Sequence, residues 1–287
     1  MTRVTEGTGR STAPSTRARR GGWVVAALAL AWVPAAARAY PTSVVFAPNA
    51  DARALGVISA FMYGGLIVVQ EGVDGPTLSP WGGVQTGLLP RASSADADTL
   101  AASALAFGGL EVGVDVFQAA DAQGRAFVKP LLNVKLAPLA PRGDVPGLAV
   151  GFMGWSPGFA ARSNDLLYGV ATWAPKQGAV IGRLTMGLGG LLNGDRSVAR
   201  GTFPFSAESG LCPILGWESP AWGPLSLAID HLGGVSDVGS TNFALVAAPV
   251  PHVVMMLGWT MGNDRRLPFD GPFALLNVDL EVARFVP

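Results

Sequence analysis

The sequence predicts an all-β fold, a transmembrane antiparallel up-and-down β-barrel of about 12 strands, on three observations. Between about Trp81 and Val282, apolar side chains fall on every second position in one short stretch after another, as in Leu110-Glu111-Val112-Gly113-Val114-Asp115-Val116. A period of two marks a strand, because successive Cβ atoms point to opposite faces of a sheet. Glycine is abundant, 38 of 287 residues, while charged residues make up only 14%. Beyond the leader, no apolar run is long enough to cross a bilayer as a helix. The third observation is that long and short connections alternate, as the loops and turns of a barrel do.

The first 39 residues read as a signal peptide. Arg10, Arg17, Arg19 and Arg20 precede an apolar run from Gly21 to Ala35, and Ala37-Arg38-Ala39 has the small-residue cleavage pattern. Tyr40 is the expected mature N-terminus, and residues 40–287 the expected barrel. The run is short for a membrane anchor. Its strongly apolar core favours the general secretory route over a twin-arginine signal at Arg19-Arg20.

Strands are expected at about 54–64, 80–90, 105–118, 125–138, 145–155, 165–174, 179–191, 208–218, 224–233, 240–248, 252–262 and 272–283. An even count brings both ends of the chain to one side of the membrane, the side of the short turns. The connections at Leu139–Asp144, Pro175–Gly178, Ser219–Gly223 and Pro249–Pro251 are short and carry Pro or Gly, which break ladders and set turns. Those at Gly65–Ser79, Leu192–Ala207 and Asn263–Gly271 are long. Arg91–Ala104 and Ala119–Gly124 break the alternation, and a strand miscounted near 91–104 would account for both.

Tryptophan supplies a further signal, because its amphipathic ring favours membrane interfaces. Trp173, Trp217 and Trp222 are expected at the rim with the short turns, and Trp81, Trp155 and Trp259 at the other. Trp81 and Trp155 fall on the inward parity of their strands unless a bulge shifts them.

Removing residues 1–39 takes away six of 20 basic and one of 20 acidic residues, leaving 14 against 19. A mildly acidic chain without a basic patch is a poor nucleic-acid binder. Cys212, the single cysteine, has no partner for an intramolecular disulfide and reads as a small buried residue.

Assigning the aliphatic face to lipid turns Glu111, Asp115, Lys129, Asn133, Lys135, Arg183, Asp230, Asn277, Asp279 and Glu281 inward, as a charged pore lining. A hairpin turning near Ala122 would set Asp115 opposite Lys129 and Glu111 opposite Asn133, with Lys135 one diagonal away. This set reads either as a structural lattice of compensated charge or as a solute-filtering constriction. Asp230, Asp279 and Glu281 would give one wall a mild cation preference. Glu218, at a strand end, is expected to face water. Gly83, Gly87, Gly109, Gly113, Gly151 and Gly187 face inward and would widen the lumen.

No enzyme reading survives the residues. Gly154-Trp155-Ser156-Pro157-Gly158 matches a nucleophile elbow, but the oxyanion hole needs the N–H of the residue after serine, and Pro157 has none. Gly187-Leu188-Gly189-Gly190 lies within a strand, without the helix N-terminus a phosphate loop requires. His231 and His252 form no metal spacing, and His231 points outward. No catalytic residue, metal or cofactor is expected.

In this pattern the chain resembles the broad class of bacterial outer-membrane β-barrel proteins over residues 40–287. The resemblance implies a Gram-negative outer membrane, lipid around the barrel and delivery by the barrel-assembly machinery. A terminal amphipathic strand is present in Leu276, Val278, Leu280 and Val282, although Phe285 is off its parity. The functional expectation is a narrow passive or weakly selective channel for small solutes, with Gly65–Ser79 or Leu192–Ala207 able to fold inward. The alternatives are a closed structural or adhesive barrel acting through its outer loops, and a secreted soluble β protein binding a small apolar ligand.

Overall fold

The computed structural model describes residues 43, 46–53, 55–67, 77–89, 107–120, 126–141, 144–155, 166–175, 178–191, 211–234, 239–263 and 270–281. The expected signal peptide, Tyr40, and the segments at 91–104, 156–165 and 192–210 lie outside them. The barrel belongs to one compact unit, Ala36–Pro287.

Twelve strands follow in order: β1 (Val57–Ile67), β2 (Thr77–Gly87), β3 (Gly109–Ala120), β4 (Ala126–Leu139), β5 (Gly147–Trp155), β6 (Leu166–Trp173), β7 (Arg183–Leu191), β8 (Leu211–Glu218), β9 (Leu225–Leu232), β10 (Ser240–Val250), β11 (Val253–Gly262) and β12 (Gly271–Glu281). One helical turn, α1 (Gly178–Ile181), lies between β6 and β7. Each strand pairs antiparallel with its neighbours in sequence, and β1 pairs with β12 to close the ring. Closure leaves no edge and satisfies the main-chain polar groups between strands. Because β2 pairs directly with β3, the ring needs no further strand from the segment at 91–104.

The side-chain period sorts the two faces. Met62, Met186, Leu188 and Leu257 point outward and are 58–72% exposed. Leu148, Val150 and Leu167 join them, while Ala149, Leu166, Tyr168 and Val170 on the same strands are buried. An apolar outer wall around a closed antiparallel ring is the surface of a transmembrane barrel. At one end, here the terminal end, β1 begins, β12 finishes, and Val250 and Val253 are joined by a two-residue turn in which His252 has φ +68°. The opposite end is the far end.

A bulge in β5 decides the position of Trp155. The pairing with β4 slips between Val134↔Phe152 and Leu132↔Trp155, and Gly154 sits at φ +79°. The extra residue flips the side-chain alternation, so Trp155 emerges 44% exposed on the outer wall at the far end.

Candidate functional site

The lumen is filled by the chain's own segment ahead of β1. Ala47, Asn49 and Ala50 are completely buried, and Asp51, Ala52 and Arg53 nearly so. Alternating alanines explain how this peptide fits, since a bare methyl lets its main chain approach the wall closely. The main-chain N–H groups freed by that approach need acceptors, because no water reaches them.

Side chains of the wall supply those acceptors. Phe46 N and Ala47 N both donate to Asp230 Oδ2, at 2.6 and 2.7 Å. Asn242 Nδ2 donates to the other carboxylate oxygen at 2.7 Å. Ala50 N donates to Thr172 Oγ1 at 2.8 Å, and that hydroxyl also meets Thr185 Oγ1 at 3.0 Å. Arg53 N donates to Glu111 Oε2 at 2.9 Å. In return, Lys135 Nζ donates to the carbonyl of Asp51 at 2.8 Å. The segment is therefore tied to β3, β4, β6 and β9 through its main chain.

Charged side chains tie it further. Arg53 Nη1 lies 2.9 Å from both carboxylate oxygens of Asp279 on β12, both groups buried. Ser59 Oγ and Asn277 Nδ2 also donate to Asp279 Oδ1. Asp51 pairs with Arg183, whose other nitrogen is 3.0 Å from Glu218 Oε2. Lys135 Nζ is 3.6 Å from Glu111 Oε1. Hydrogen bonds to charged groups are the stronger kind, about 1.5–3 kcal/mol each. Toward the far end, Phe46 enters an aromatic cluster, with ring centroids 5.4 Å from Tyr63, 5.9 Å from Trp81 and 5.3 Å from Phe273.

Among the expected pore-lining residues, Glu111, Asp115, Lys135, Asp230, Asn277 and Asp279 are buried inside the ring, and Arg183 is partly buried there. Asn133 is half-buried and accepts the N–H of Gly154. Glu281 is exposed at the terminal rim. Lys129 pairs with Phe117 along the backbone, and its side chain lies outside the described residues.

Several expectations are corrected. Glu111 stands opposite Lys135, and Asp115 opposite Leu131, so the β3–β4 hairpin is slid by two residues from the register expected. A slide of two keeps every side chain on its face and changes only its partner. Glu218 pairs with Arg183 in the interior instead of facing water, because the two are directly opposite across β7 and β8. Trp81 is no interface residue: it keeps its inward parity and packs against Phe46, Phe61 and Tyr63. The inward glycines do not widen the lumen. A Cβ on Gly83 would meet Asp115 and Phe61, and one on Gly151 would meet the Tyr168 ring, so both positions hold neighbouring side chains.

The remaining tryptophans lie near the rims. Trp173 and Trp222 are exposed at the terminal end, and Trp217 Nε1 there donates to Ile181 O at 2.8 Å. Trp259 is exposed near the far end, where Nε1 donates to Asp270 Oδ1 at 2.9 Å. His231 faces outward with Nδ1 2.9 Å from Thr241 Oγ1, and Cys212 is buried in the interior. Among the described residues no group of His, Cys, Asp and Glu is placed to hold a metal ion. The internal segment itself was not anticipated. Its signal is the alternation of Ala47, Ala50 and Ala52 with Asn49, Asp51 and Arg53, too small and polar for a lipid-facing strand.

No protein-family model and no curated protein matches this chain. Two solved structures resemble it in outline, both of them substituted variants of the Rh. blastica porin, one carrying an added tryptophan pair and the other a single added tryptophan. The first has a TM-score of 0.35 and 11% identity, the second 0.34 and 10%, each covering 78% of this chain and 100% of the other.

Proposed function

We propose that this protein is an outer-membrane β-barrel whose lumen is a narrow channel held shut by its own N-terminal segment. The observation that carries the reading is the fit between wall and segment: Asp230, Thr172 and Glu111 each accept a main-chain N–H from Phe46–Arg53, and Asp279 takes its cation from Arg53. The apolar exterior, the rim tryptophans and the short turns at the terminal end support a bilayer setting with that end in the periplasm. Twelve strands fall between small barrels packed shut and sixteen-stranded ones with an aqueous channel. Removing the segment from such a ring leaves a passage lined by Glu111, Lys135, Arg183, Asp230 and Asp279.

Planar-bilayer recording tests this. The folded full-length barrel is expected to be silent or to open rarely, and a variant lacking residues 46–53 to conduct small ions steadily. Silence from the deletion variant, with its barrel shown intact by heat-dependent mobility on SDS gels, would leave a closed structural or adhesive barrel instead. Recovery of the native protein in the soluble fraction would overturn both and favour a secreted β protein.

A further inference from the structure

The segment does not fill the lumen completely. A cavity of about 100 Å³ remains beside it, bounded by Phe46, Phe61 and Trp81 on one side and by Asp115 and Asn133 on another. Volume of this size holds several waters or one small organic molecule.

Two buried polar atoms of its wall have no hydrogen-bond partner among the described residues, Asp115 Oδ1 and Trp81 Nε1. Asp115 is 95% buried, its residual exposure being 5%. The two residues sit two positions apart on one inward face, since Asp115 is opposite Gly83 and Trp81 opposite Phe117. Gly83 is what lets them meet the rings: the point where its Cβ would stand lies against both Asp115 Oδ1 and the Phe61 ring. Arg53 and Lys135 also border the cavity, but they are committed to Asp279 and to Glu111 and the Asp51 carbonyl.

A buried carboxylate oxygen without a donor, beside aromatic rings, asks for a cation. A weakly hydrated alkylated ammonium answers both walls, because its charge faces the carboxylate while its methyl groups pack on the rings. The unmet indole N–H asks in addition for an oxygen acceptor close to that charge. We infer that the cavity between Asp115 and the Phe46–Phe61–Trp81 rings binds a small quaternary ammonium that carries a hydroxyl. The site needs the closed ring and the docked segment and is independent of whether the barrel conducts.

Choline is the probe, titrated into the full-length barrel in detergent and followed by calorimetry and tryptophan fluorescence. Binding at millimolar concentration or below is expected. The uncharged isostere 3,3-dimethyl-1-butanol should bind about tenfold or more weakly. Asp115→Asn should weaken choline by a similar factor, and Trp81→Phe should weaken choline while sparing tetramethylammonium, which has no oxygen. No binding of choline by the folded wild type, or equal binding of its neutral isostere, overturns the proposal even if both variants fail to fold. Undiminished affinity in a folded Asp115→Asn barrel overturns it equally.

Discussion

Arg53→Ala is the perturbation that most directly probes how the lumen is closed. The guanidinium meets both oxygens of Asp279 at 2.9 Å, with the pair's side chains only 6% and 5% exposed. Truncating one partner of a buried pair costs about 3–5 kcal/mol, because the other charge stays behind uncompensated. Ser59 and Asn277 still donate to Asp279, which places this site near the lower bound, about 3 kcal/mol. The loss falls on docking of the segment, since no strand-to-strand hydrogen bond depends on Arg53. At about 1.4 kcal/mol per decade, the undocked population should rise roughly a hundredfold.

Amide hydrogen exchange of the peptide spanning residues 46–53, followed by mass spectrometry, reads that population. The Phe46, Ala47 and Ala50 amides, each bonded to a wall side chain, should lose about two decades of protection while the strands keep theirs. Adding Asp279→Asn removes the orphaned charge and should restore most of the protection. Unchanged exchange in Arg53→Ala would refute the assignment of this pair as a clamp. Loss of protection throughout the strands would refute the separation of segment from barrel.

Three further outcomes follow from individual contacts. Asp230→Asn keeps the shape of the acceptor for Phe46 N and Ala47 N but removes its charge, so each bond should weaken by about 1 kcal/mol and channel openings should become more frequent in bilayer recordings. Gly151→Ala would drive a methyl into the Tyr168 ring and the Val134 carbonyl; overpacking of this kind costs about 1–3 kcal/mol, read as a lower temperature at which the compact gel band disappears. Val150→Arg places a charge on the outer wall of β5, where Val150 is 51% exposed, and should destabilise the barrel in liposomes by up to about 2–4 kcal/mol, with little effect if that wall faced water.

Much of the ring was legible because lipid imposes one rule on every strand. Outward positions must be aliphatic, so the twelve stretches announce themselves, and the Pro and Gly of the short turns separate them. Register was less legible: sliding β3 on β4 by two residues preserves each face, so parity could turn Glu111 and Lys135 inward without revealing that they are opposite one another. Trp81 shows a conflict between two rules, residue type pointing to the rim and parity to the interior, and parity prevailed. Residues 46–53 obey neither rule. Surrounded by barrel on every side, they need small side chains and polar contacts in all directions, which leaves no apolar stripe to find.

That origin of the segment's composition also bears on what the interior charges are for. A lattice meant only to support the wall would compensate charge between adjacent strands, as Glu111 with Lys135 and Arg183 with Glu218 do. Asp279 departs from that pattern, because its ion-pair partner Arg53 comes from the segment. Asp230 departs differently: one of its oxygens receives two consecutive main-chain N–H groups, an arrangement that recognises a peptide backbone and no particular side chain. These two carboxylates are thus matched to an occupant and not only to their neighbours in the wall. When the segment withdraws, Asp279 loses its guanidinium and Asp230 two donors, while Arg183 keeps Glu218. The opened passage is left with acidic groups facing water, so its selectivity should favour cations, as carboxylate rings do in other pores.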